Sequence, residues 1–159
     1  MKKIFFVLFI FSIFSLARLT AFAWWDSVDV EENAILSIGE GVNMISVKID
    51  DTDKTLVPSG SLLKENDSYE LKKTYEVYLD KDVVSPLELI VYYEDLLIGD
   101  SSFYNHLLNI EIVKSSQEID LNTSSIVEII ITLNMPNNEE EYIYISENKI
   151  TLNIIFEAI

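Results

Sequence analysis

Cysteine is absent, histidine occurs once, and 11 lysines and arginines face 27 aspartates and glutamates. Each shortage excludes something. Without thiols there is no disulfide framework, no thiolate zinc or iron–sulfur site and no cysteine nucleophile. A single imidazole, His106, cannot supply the two or three nitrogen ligands of a zinc hydrolase. Neither an H-E-x-x-H nor a G-x-S-x-G stretch accompanies it. His106 therefore reads as a loop or part-buried polar residue. The formal net charge of −16 repels polyanions, which argues against nucleic acid and anionic lipid as partners. Its plainest role is solubility, with a hard cation held by carboxylates as the alternative. Glycine is scarce too: four residues leave most turns to Asn, Asp and Ser.

What is present begins with a leader. Lys2 and Lys3 precede an unbroken run, Ile4 to Leu16, of apolar residues and two serines, and Ala21-Phe22-Ala23 supplies an A-x-A stop. This is the order of a secretory signal peptide. Thirteen residues fall short of the about 20 that a spanning helix needs. The alternative is an uncleaved anchor, which Arg18 close behind the run opposes. The expected organisation is a signal peptide over 1–23 and one extracellular domain over 24–159. Membrane contact is then limited to an uncleaved leader. After residue 23 the chain carries all 27 acids and only eight of the bases, a net −19. An exported chain without cysteine must hold together by packing alone.

That packing is written in period two. Over 69–79, Leu71, Lys73, Tyr75, Val77 and Leu79 fall on one face and Lys72, Thr74, Glu76 and Tyr78 on the other, the order of a half-buried strand. The same alternation predicts strands at 34–38, 42–49, 86–93, 107–113, 126–133 and 150–156. The first two flank Gly39-Glu40-Gly41 and read as a hairpin-like pair. Around Tyr104 there is room for a short helical turn. After Pro136, Asn137 or Asn138 caps a short acidic helix beginning at Glu139, with Tyr142 and Ile145 inward; a strand at 142–145 competes. The fold class is all-β: an antiparallel β-sandwich of jelly-roll or immunoglobulin type, with about seven to nine strands and one or two short helices.

Several stretches then resemble a known group. They are Ala21-Phe22-Ala23, Trp24-Trp25-Asp26, Ile38-Gly39-Glu40-Gly41-Val42, Leu56-Val57-Pro58-Ser59-Gly60, Asn66-Asp67 and Tyr75-Glu76-Val77-Tyr78-Leu79-Asp80. From Ala23 to Asp80 the chain resembles small exported proteins of low-GC, Mollicute-type bacteria. More distantly it is similar to the secreted TasA/camelysin class. The resemblance implies an extracellular jelly-roll-like sandwich, assembled in some members into matrix fibres. The leader is shorter than is typical of that class. The metalloprotease activity linked with camelysins has no motif to rest on here, so no catalytic residue is carried over.

Three sets of residues remain as site candidates. Asp50, Asp51 and Asp53 crowd the end of a strand and resemble the start of a calcium loop, without the glycine and closing glutamate of an EF-hand. A solvated Asx turn is the competing reading. Trp24 and Trp25 stand at the mature N-terminus and point to opposite sides if extended, so at least one needs cover. They dock on their own sandwich, enter a neighbouring subunit by strand addition, or stack on sugar rings. Glu139, Glu140 and Glu141 open the helix or lie on a solvated face. The expected function is non-enzymatic: a surface or matrix component, possessing no cofactor unless calcium, whose partners are its own copies or cell-surface proteins. The rival is a carbohydrate- or calcium-dependent binding module. A glycosidase built on paired carboxylates ranks last.

Overall fold

The computed structural model describes residues 30–38, 44–51, 54–81, 83, 85–146 and 148–159, with backbone alone at 30–33, 37–38 and 50–51. Within them lie ten strands: β1 (Val30–Ile38), β2 (Met44–Asp51), β3 (Thr55–Leu56), β4 (Asp67–Ser68), β5 (Glu70–Leu79), β6 (Leu87–Ile98), β7 (Leu108–Lys114), β8 (Glu118–Ile119), β9 (Ser125–Leu133) and β10 (Ile150–Ala158). A 3-10 turn spans Asn105–Leu107 and one α-helix, α1, spans Glu139–Ser146. One sheet has the order β1-β10-β6-β8 and the other β2-β5-β9-β7, with β3 and β4 as a small parallel pair.

The alternating pattern decides which face each strand buries. On β5, Leu71, Lys73, Tyr75, Val77 and Leu79 are buried while Lys72, Thr74, Glu76 and Tyr78 between them are half-buried. On β9 the buried set is Ser125, Val127, Ile129, Ile131 and Leu133, and on β10 it includes Ile150, Leu152, Ile154 and Phe156. These faces meet between the sheets. Tyr75 of one sheet packs edge-on against Phe156 of the other, centroids 5.4 Å apart. At one margin Lys114 Nζ crosses the gap and donates to the Leu89 carbonyl at 2.6 Å. Burial of this apolar area, at roughly 25 cal/mol per Å2, replaces the staples that the chain lacks.

All seven expected strands are present, and the additional ones (β3, β4 and β8) are two residues long, too short to show a period. Two expectations need correction. The sandwich is not wholly antiparallel, because β1 runs parallel to β10, Val30 beside Ile150 through Ile38 beside Ala158. Nor do β1 and β2 form a hairpin: β1 joins β10 and β2 joins β5, one in each sheet. Gly39, Glu40 and Gly41, on which the hairpin was read, lie outside the described residues.

β6 runs five residues past its expected end at Tyr93 because a bulge changes its phase. Between Glu94 and Leu97 it advances three residues while β10 advances two, from Asn153 to Thr151. Asp95, the one non-glycine with positive φ (50°) among the described residues, sits there and accepts from Asn153 Nδ2 at 2.9 Å. Leu87, Leu89 and Val91 pack on the core before the bulge, Leu96 and Ile98 after it. Odd positions thus give way to even ones. Gly99 follows at φ +60°, where an added Cβ would stand 2.5 Å from Asn148 Oδ1. The turn needs both the left-handed backbone and the missing side chain.

Candidate interaction sites

Among the described residues the strand order leaves β1 and β2 as edge strands, each paired on one side only, and the two adjoin at one flank of the sandwich. Parallel neighbours in register share a face, so Leu36 projects to the same inward side as Phe156. Phe156 is fully buried, yet Leu36 is 43 % exposed. On β2, Lys48 lies opposite buried Tyr75 and is itself exposed. The sandwich is therefore open along this seam. On the same two strands Ile35, Val47 and Ile49 are exposed as well. A long edge with free backbone donors and acceptors and apolar side chains is a template for pairing with another chain.

Asp50 and Asp51 form the end of β2 in backbone, opposite Thr74 and Lys73, just past an irregularity that follows Lys48. Asp53, Trp24 and Trp25 lie outside the described residues, as do residues 1–23, expected to be a signal peptide. Among the described residues no group of three or more His, Cys, Asp or Glu side chains is arranged to hold a metal ion, and no helix is long and apolar enough to cross a membrane.

A second site, which the sequence reading had only in fragments, lies at the end of the sandwich that carries α1. The 3-10 turn is tied to one sheet by Asn105 Nδ2 donating to the Leu96 carbonyl at 2.6 Å, and to the other by Asn134 N–H donating to the Leu107 carbonyl at 2.7 Å. α1 is docked by buried Ile145 and by Tyr144, whose hydroxyl donates to the Ile98 carbonyl at 3.1 Å. Its start is capped as expected. Asn138 Oδ1 accepts from Glu141 N–H at 2.9 Å, and Glu141 Oε2 accepts from Asn137 N–H at 2.7 Å, a variant of the capping box.

These anchors bring rings and carboxylates together. Tyr104 packs on Tyr144 with centroids 4.7 Å apart, and Phe103 meets Tyr104 edge-on at 4.9 Å. Tyr104 donates to Glu140 Oε1 at 3.4 Å. Partial desolvation, then the Glu140 and Glu141 charges, raise its phenol above the ordinary range, because ionising it would add a like charge. His106 is exposed, as a loop residue was expected to be; its Nε2 stands 3.7 Å from Glu141 Oε1. Phe103 is 75 % exposed. The buried side-chain polar atoms without a hydrogen-bond partner among the described residues, Ser61 Oγ and Asn105 Oδ1, are both at this end too. Sequence reading marked Tyr104, His106 and the three glutamates separately. It missed the assembly because nothing local joins positions 103–106 to 139–144.

Comparison of the chain with protein-family models, with curated proteins and with solved structures gives no match.

Proposed function

We propose that the protein is a non-enzymatic, exported β-sandwich that works by protein contact at the cell surface or in an extracellular matrix, associating with its own copies through the open seam. One observation carries this reading: inward-facing Leu36 is left 43 % exposed on edge strand β1, and the adjoining edge strand β2 exposes Val47 and Ile49 as well. Strand addition at such an edge satisfies backbone groups and covers apolar side chains in one step. The leader supports the compartment, and the two packed sheets support a jelly-roll or immunoglobulin-like arrangement of the TasA/camelysin kind. Trp24 and Trp25, close before β1 in sequence, supply apolar rings for the same contact.

Copies of a chain with this charge repel one another, so association strengthens as salt screens them. Light scattering after size exclusion of the secreted protein tests the reading. The expected mass rises with protein concentration and with salt, and falls to the monomer in a Leu36→Lys/Ile49→Lys variant. Lysines reduce the repulsion, so their effect must come from the apolar seam. A wild-type protein that stays monomeric in concentrated, salted solution would remove the self-association.

A further inference from the structure

The aromatic turn and α1 have no part in the seam, and they have a chemistry of their own. Phe103 is a large apolar ring three-quarters in water, yet it is held: its edge-to-face contact with Tyr104, and the packing of Tyr104 on Tyr144, fix the platform before anything binds. Preorganised rings lose little freedom on binding. Beside them stands Glu140, in the first turn of α1 and bonded to the Tyr104 hydroxyl, with Glu141 of the same turn 3.7 Å from His106. An open π face next to negative charge suits an ammonium or guanidinium group, which takes quadrupole attraction from the ring and Coulomb attraction from the acids. The charge of the whole chain points the same way. At −16 it draws cationic partners in and holds a second copy of this acidic end away.

We infer that the end of the sandwich bearing Phe103, Tyr104 and α1 is a docking face for a basic polypeptide segment, a lysine or arginine of which sits on the Phe103 ring with Glu140 close by. This face is separate from the β1–β2 seam, so the partner is a different protein, and docking is independent of self-association. His106 stands at the margin of the platform, its Nε2 3.7 Å from Glu141 Oε1.

The test is titration calorimetry of the secreted protein with a peptide alternating lysine and leucine. Its arms are the same peptide with glutamate for lysine and a neutral β-glucan oligosaccharide. The lysine peptide alone should bind, more weakly as salt rises. Phe103→Ala should raise its Kd about threefold to thirtyfold, the range of a cation–π contact, and Phe103→Tyr should restore it. Because Phe103 is exposed, its truncation leaves the core alone; Glu140→Gln, which keeps an acceptor for the Tyr104 hydroxyl, should weaken the same peptide with every ring in place. Failure of the lysine peptide to bind, unchanged affinity in both variants, equal binding of the glutamate peptide, or binding of the glucan instead would each overturn the assignment.

Discussion

At the scale of the residue, single positions carry decisions that neighbours do not. Asp120 closes the turn before β9: its Oδ1 accepts from Asn122 N–H at 2.7 Å and from Thr123 N–H at 2.6 Å. Those bonds favour the ionised form and hold its carboxyl below the ordinary aspartate range, against a smaller opposing effect of desolvation. A depressed carboxyl gives stability that is complete above the unfolded-state pKa and is lost as pH falls through the folded one. Denaturation midpoints of wild type and Asp120→Asn should therefore differ by a constant amount near neutrality and converge in acid. Curves that stay parallel into acid would show that the turn does not depend on the charge. Tyr92 is the opposite case. Its hydroxyl donates to Glu157 at 2.8 Å, which raises the phenol, so the stability it contributes is present below the usual tyrosine range and lost above it. Lys73 shows how far a residue's place was legible: period two put it with Leu71 and Tyr75, and it is 7 % exposed among them. The Asp120 turn was not legible, because a D-L-N-T stretch reads as a turn without saying which donors close it.

Elements were legible where their period was unbroken. β5 and β9 keep one parity throughout and β10 departs from it only at Ile155, which is buried beside Ile154 and Phe156, so their buried faces follow from the alternation. β6 does not, because the extra residue at the Asp95 bulge moves the apolar positions from odd to even, and a reading by alternation stops there. Pairing was less visible than strands. A Gly-Glu-Gly stretch between two apolar runs suggests a hairpin, but the first run finds a parallel partner more than a hundred residues later, at β10. No local signal encodes that choice. α1 is the reverse: its start was legible from Asn-Asn-Glu chemistry alone. An eight-residue helix is too short to persist by propensity, so its cap and its docking both matter. Asn138→Ala should cost about 1 kcal/mol in chemical denaturation, and Asn138→Asp should cost little. Equal stability of Asn138→Ala and wild type would mean that docking of Ile145 and Tyr144 suffices.

For the whole molecule, the two layers leave different kinds of surface in different places. The far end is closed by Lys114 on the Leu89 carbonyl and by hydrogen bonds in both directions between Glu88 and Ile159. The end with α1 presents rings and acids, and the β1–β2 flank presents two strands that are edges among the described residues, with an exposed inward leucine. Neither was written in any one stretch. Each exists only because strands distant in sequence were paired. The central claim is that the flank is a contact surface, and amide hydrogen exchange of the protein beginning at Trp24, followed segment by segment in dilute and in concentrated solution, tests it most directly. Protection should rise with concentration in segments covering β1 and β2 while β5, β9 and β10 stay unchanged. Equal exchange of β1 and β2 at both concentrations would contradict it.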